Sequence, residues 1–194
     1  RADIAAERGE QLSSGEGAAL LNQGLGYLNA RLPREALDPL RRRELLVVRG
    51  PLVMAGYYKN PQASADAAKH GWHHTGDIGY LDSDGYLFIV DRAKDMIITG
   101  GFNVYSAEVE QVLLAHPAVQ DCAVIGLPDE KWGERVTAVV QLRPGQAVTE
   151  DEIRAFVKDR LGSVKAPKQV EVWPDLPRSK VGKVLKVEVK AQFL

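Results

Sequence analysis

The 194-residue sequence predicts an α+β chain in two parts: a β-rich segment, then a compact unit in which helices pack on a short sheet. Three observations predict this. Residues 80–90 read as strand, turn and strand. Residues 149–161 read as an amphipathic helix with a capping box at its start. Apolar runs at 119–125 and 136–142 lie between that helix and an earlier one, so the texture becomes α+β beyond residue 91.

The elements follow in order. Residues 1–43 carry little pattern: helical spacing at 18–21 and 25–32 is broken or flanked by Gly9, Gly15, Gly17, Gly24 and Gly26. Arg41-Arg42-Arg43 reads as a solvated charge run rather than a nucleic-acid patch. Residues 45–48 are a strand closed by Gly50-Pro51. Asn60-Pro61 opens a short alanine-rich helix with proline at its first position. Tyr80-Leu81, the turn Asp82-Ser83-Asp84-Gly85 and residues 86–90 form a hairpin. Residues 96–98 are a strand candidate. Val109, Val112 and Leu113 place a helix over 106–115, ended by His116-Pro117. The strand over 136–142 stops at Pro144-Gly145. Thr149 and Glu152 form a capping box, Ile153, Phe156, Val157 and Leu161 share one face, and Gly162 marks the end. Val170 and Val172 alternate with Glu171 as in a half-buried strand. No internal repeat is visible.

Composition excludes several classes. The balance of 45% hydrophobic and 26% charged residues is that of a soluble globular protein. A net charge of −1 gives no bulk attraction to nucleic acid or anionic membrane. No apolar run approaches the roughly 20 residues of a membrane span. The single cysteine, Cys122, rules out an internal disulfide framework and fits a reducing cytoplasm. Its neighbours Ala123, Val124 and Ile125 mark it as a buried thiol rather than a nucleophile.

Three segments hold candidate chemistry. In Trp72-His73-His74-Thr75-Gly76-Asp77, a carboxylate after a glycine turn can accept hydrogens from vicinal hydroxyls; Thr-Gly-Asp is also a common surface turn. His73 and His74 point to opposite faces of a strand, and no cluster has metal-ligand spacing, so no metal site is expected. In the run from Asp91 through Arg92-Ala93-Lys94-Asp95 to Gly100-Gly101, alternating charges suit a linker, and the glycine pair permits close approach of a ligand or backbone. It is not a Gly-x-Gly-x-x-Gly fingerprint. In Leu176-Pro177-Arg178-Ser179-Lys180-Val181-Gly182-Lys183, a P-loop is excluded because its first glycine is Pro177. A basic surface patch and a lysine delivered to a phosphate or carboxylate both remain open.

The ordered set is more specific than its parts. It comprises Arg49-Gly50-Pro51, Gly56-Tyr57-Tyr58, Gly71-Trp72, Thr75-Gly76-Asp77, Asp84-Gly85-Tyr86, Asp91-Arg92-Ala93-Lys94-Asp95, Gly100-Gly101-Phe102-Asn103-Val104, Glu108-Val109-Glu110, His116-Pro117, Gly126-Leu127-Pro128-Asp129, Gly133-Glu134 and Pro177-Arg178 with Gly182-Lys183. Over roughly residues 44–186 this set resembles the adenylate-forming superfamily, which includes acyl- and aryl-CoA synthetases, peptide-synthetase adenylation domains and beetle luciferases.

The resemblance implies residues 44–93 as the β-rich end of a large N-terminal domain and 94–194 as the small mobile AMP-binding domain, with 1–43 unassigned. It implies an acid–thiol ligase reaction: a carboxylate and ATP give acyl-adenylate and pyrophosphate, and CoA then displaces AMP. Asp77 and Arg92 are implied as nucleotide-binding, Lys94 as the hinge, Gly100, Gly101 and Trp132 as lining the pantetheine channel, and Lys183 as catalytic. Substrates would be a carboxylic acid, ATP and CoA; Mg2+ would accompany ATP on the N-terminal domain. That domain would also supply the phosphate-gripping loop and acyl pocket, so the chain is expected to be a C-terminal portion, inactive alone. Asp91 stands where the family has glycine, Ser106 stands where it has proline and can cap the helix, and Arg41-Arg42-Arg43 replaces a Gly-Glu-x-Gly-Glu turn. The alternatives are a peptide-synthetase adenylation domain loading a carrier protein, or a non-catalytic binding module.

Overall fold

A computed structural model describes residues 3–7, 44–82 and 86–194. The weak helical spacing at 18–21 and 25–32, the charge run Arg41-Arg42-Arg43 and the turn residues Ser83-Asp84-Gly85 lie outside the described residues. The chain divides into two compact units, residues 1–94 and 95–194.

The first unit holds an antiparallel sheet in the order β1-β2-β3-β4, formed by Asp3–Glu7, Glu44–Arg49, His73–Leu81 and Leu87–Arg92. β1 falls where the sequence predicted nothing, because Ala-Ala-Glu carries no β signal. β2 is the expected strand, and its Leu46 and Val47 are buried with Ile78, Tyr80 and Val90. The helix α1 (Pro61–Ala67) starts as expected, with the Asn60 side chain accepting the Ala63 N–H at 3.0 Å.

β3 corrects one expectation. Thr75-Gly76-Asp77 is not a turn but part of the strand, in an irregularity of its pairing. Val47 pairs with His74 and Leu45 with Ile78, so three residues face one on the partner. Gly76 takes φ 75° there. A bulge of this kind re-aims the following side chain.

In the second unit the sheet runs β6-β5-β8-β7 with β9 parallel beside β8. These strands are β5 (Ile97–Thr99), β6 (Phe102–Val104), β7 (Val119–Asp129), β8 (Gly133–Leu142) and β9 (Gln169–Val172). β6 was not expected, and β7 and β8 extend beyond the predicted runs to meet in a tight turn. Alternation splits their apolar residues between two faces. Val124, Val136, Ala138 and Val140 pack with Val109, Leu113, Ile153 and Val157 of α2 (Ser106–Leu114) and α3 (Glu150–Lys165). Ala123, Ile125, Leu127 and Val139 pack with Leu176 and Val189, the latter on α4 (Lys186–Ala191), a helix the sequence did not predict.

Two helix boundaries differ from expectation. Ser106 does not cap α2: Tyr105 holds the N-cap position, and Ser106 Oγ instead accepts from Lys186 Nζ at 2.7 Å. Gly162 kinks α3 at φ 80° rather than ending it, and the helix resumes to Lys165. The capping box is formed as expected, with Glu152 N–H donating to Thr149 Oγ1 at 3.2 Å and Thr149 N–H to Glu152 Oε2 at 2.8 Å.

The Thr149 backbone N–H and then its hydroxyl, each donating to Glu152 Oε2 at 2.8 Å, favour the ionised Glu152, whose pKa is lowered. The lowered folded value means that this contribution is present above the ordinary carboxylate range and fades as pH falls through the folded pKa. Thr149→Ala is expected to destabilise the unit by about 1 kcal/mol in urea unfolding at neutral pH, with the deficit shrinking in acid.

Candidate functional site

Antiparallel pairing sets Asp77 directly opposite Arg92. Arg92 Nε lies 3.2 Å from Asp77 Oδ1, and its Nη2 donates to the Thr75 carbonyl at 3.2 Å. The Thr75 hydroxyl ties the bulge together, donating to Leu46 O at 3.0 Å and accepting the Asp77 N–H at 3.0 Å. Asp91 is buried and accepts the Arg92 N–H at 2.8 Å. The pair itself is too exposed, at 49% and 28%, to stabilise the fold by more than about 1 kcal/mol. What it does is fix a carboxylate in place, with Oδ2 bonded to no described residue and able to accept hydroxyl hydrogens.

Lys94 is exposed at the centre of the 3₁₀ turn Ala93–Asp95, the last residue of the first unit.

Gly100 and Gly101 are the two central residues of the β5–β6 hairpin, where Thr99 pairs with Phe102. Their φ values, 56° and 80°, are those a type I′ turn demands. Gly100 N–H donates to the Trp132 carbonyl at 2.8 Å, and a Cβ on Gly100 would lie 3.0 Å from the Trp132 ring. A Cβ on Gly101 would meet nothing within 4 Å. One glycine is therefore packed against the indole and the other opens outward.

Trp132 is set by Asp129, whose Oδ1 accepts the backbone N–H groups of Lys131 at 3.0 Å and Trp132 at 3.1 Å. The ammonium groups of Lys131 and Lys168 lie 4.9 and 5.8 Å from the indole centre. Partial burial lowers the pKa of Lys168, with Lys158 adding to the effect. In the ladder register the hairpin pairs with β8 at Thr99 and Gly133. Glu134 supplies a further tie, its Oε2 accepting the Ile98 N–H at 2.7 Å.

Lys183 sits on a second small hairpin. Gly182 N–H donates to Ser179 O at 2.8 Å and Ser179 N–H to Lys183 O at 2.8 Å, with Gly182 at φ 82°. That is a turn followed by a glycine bulge. Lys183 N–H also donates to Ser179 Oγ at 3.1 Å. The backbone of Lys183 is thus held, while its exposed ammonium bonds to no described residue.

The structure brings Asp77 and Arg92 together in the first unit, and Gly100 with Trp132 in the second, where Lys183 also lies. Sequence reasoning gave Cys122 no role, and it is buried; burial raises its pKa, and its thiol donates to Glu110 O at 3.6 Å. It overlooked the supporting roles of Thr75, Asp129 and Glu134. An aspartate just before a three-residue turn between two strands was a usable signal for Asp129.

The comparisons with known proteins agree with one another. Residues 108–183 match the family model of the AMP-binding enzyme C-terminal domain. A feruloyl-CoA synthase of Amycolatopsis is 47% identical over 159 residues, covering 82% of this chain and 32% of that protein. A medium/long-chain-fatty-acid–CoA ligase of Mycobacterium tuberculosis is 50% identical over 164 residues, covering 80% and 29%. The structure of o-succinylbenzoate CoA synthetase from Bacillus subtilis, solved with its acyl-adenylate intermediate, matches with a TM-score of 0.75 at 34% identity, covering 97% of this chain and 34% of that one. The chain spans about a third of the length of these relatives.

Proposed function

Because the chain belongs to the adenylate-forming superfamily, as a C-terminal portion of it, we propose that it supplies one side of the active site of an acyl- or aryl-CoA ligase. The observation that carries this reading is Lys183: a lysine with its backbone braced on a hairpin and its ammonium unengaged. The adenylation step joins a carboxylate to the α-phosphate of ATP and expels pyrophosphate. It brings two anions together and spreads charge over phosphate oxygens, so an aimed cation acts most strongly in the transition state.

The other residues divide the remaining work. Asp77 accepts hydrogens from the ribose hydroxyls, with Arg92 orienting it and lying near the phosphate region. Lys94 is the hinge whose backbone torsions change between the two steps. Gly100 and Gly101 leave room for the pantetheine arm beside Trp132, so that the thiol of CoA can reach the acyl carbon and displace AMP. Mg2+ is expected with ATP, held on the family's N-terminal domain. The relatives' names favour CoA as acceptor over a carrier protein. The acyl substrate is left open, since those names span aryl and fatty acids.

The test is carboxylate-dependent ATP–pyrophosphate exchange by the longest natural protein that contains residues 1–194, with aryl and fatty acids as substrates. Exchange followed by CoA consumption is the expected result; no exchange with any of these acids contradicts the reading. Residues 1–194 alone are expected to make no acyl-CoA. Asp77→Ala removes charge-assisted bonds worth about 1.5–3 kcal/mol. Since ribose contacts persist through the reaction, it is expected to raise the KM for ATP at least about tenfold with little change in kcat.

A further inference from the structure

Arg178 lies five residues before Lys183, in a stretch that reads as generally basic. In the structure its guanidinium is spread over several acceptors. Nη1 lies 2.7 Å from Asp121 Oδ2 on β7 and 3.2 Å from the carbonyl of Gly182, while Nη2 donates to Gln141 Oε1 on β8 at 2.9 Å. Nε lies 3.9 Å from Asp175 Oδ1. The side chain pairs are only about 30% exposed on both sides of the Asp121 contact. Arg178 also forms the base of the lysine hairpin, in an isolated bridge with Val184. The Gly182 carbonyl it holds belongs to the peptide that leads directly into Lys183.

We infer that Arg178 is the positioning residue for Lys183: its planar fork couples the lysine hairpin to the long β7–β8 pair and holds the Lys183 backbone at a fixed place. The inference rests on the assignment of Lys183 to adenylation. The physical reason is that the hairpin is a short turn closed by a glycine bulge, whereas β7 and β8 are paired from Val119 with Leu142 to Asp129 with Gly133 and bury apolar residues on both faces. A planar group with donors in fixed directions can bridge a carboxylate, an amide and a backbone carbonyl at once; the point charge of a lysine cannot. Positioning matters steeply, since a misplacement of about 1 Å can cost on the order of 10²-fold in rate.

The full-length protein separates a positioning role from a folding role, because the two half-reactions place different demands on this unit. Arg178→Ala is expected to lower carboxylate-dependent exchange roughly 10- to 100-fold. Thioester formation from supplied acyl-adenylate and CoA should stay within about twofold of the unmodified protein, since the lysine is not needed there. Arg178→Lys, which keeps the charge without the fork, should recover only part of the exchange. Gln141→Leu removes one anchor while leaving Asp121, and should lower exchange less than Arg178→Ala in a protein that folds normally. Equal loss of both half-reactions in these variants would overturn the proposal, as would full exchange in Arg178→Ala alongside its loss in Lys183→Ala. Full exchange in Lys183→Ala would instead remove the assignment on which the inference rests.

Discussion

Lys183→Ala in the full-length protein is expected to lower carboxylate-dependent ATP–pyrophosphate exchange by about 10²–10³ while leaving the fold intact. The magnitude is that of removing one aimed donor from a charge-developing transition state. The fold should be indifferent, because the hairpin bonds of residue 183 are made by its backbone N–H and carbonyl, and alanine keeps both. The side chain itself is exposed and bonds to no described residue. The KM for ATP should change less than kcat if, as proposed, the lysine acts on charge that grows only as the new bond forms. Lys183→Arg should not restore the rate, because a planar fork delivers its charge in another geometry.

Gly101→Ala is expected to lower thioester formation from acyl-adenylate and CoA by at least about tenfold, with exchange within about twofold of the unmodified protein. The two hairpin glycines make a controlled comparison. Both take positive φ, so alanine at either strains the turn by about 1–2 kcal/mol. At Gly100 the new Cβ also meets the Trp132 ring at 3.0 Å, and any loss there mixes repacking with blockage. At Gly101 it meets nothing within 4 Å. A defect at Gly101 in the second half-reaction alone therefore reports a methyl group standing where the pantetheine arm passes. Thermal unfolding of the two variants measures the shared strain and removes it from the comparison.

Much of this was legible in the sequence, for reasons that differ by element. The β2 strand, the long strands β7 and β8, and the α3 capping box announce themselves locally, through apolar runs and a Thr-x-x-Glu spacing. Asp77, Arg92, Lys94, the glycine pair and Lys183 stood in an ordered set of motifs, though no one of them carried a role by composition, and Trp132 entered only through the resemblance that set carries. The rest was hidden by distance or by size. α4 has six residues, too few to display a helical period, and β6 has three. The Thr75-Gly76-Asp77 turn became a strand irregularity because pairing with β2 overrode the local preference of Gly76. Ser106 lost its expected capping role to a bond with Lys186, 80 residues on. The ties that place the site residues are of the same long-range kind: Arg178 to Asp121 spans 57 residues and Ile98 to Glu134 spans 36. Such bonds leave no periodic trace in a sequence.

The most direct test of the whole reading is to measure both half-reactions on Lys183→Ala and Gly101→Ala, side by side in the full-length protein. If the chain brings one lysine to adenylation and one glycine turn to thioester formation, Lys183→Ala loses exchange but still converts supplied acyl-adenylate to acyl-CoA, and Gly101→Ala does the reverse. If both variants slow the same half-reaction, or neither slows either, this division of labour is contradicted.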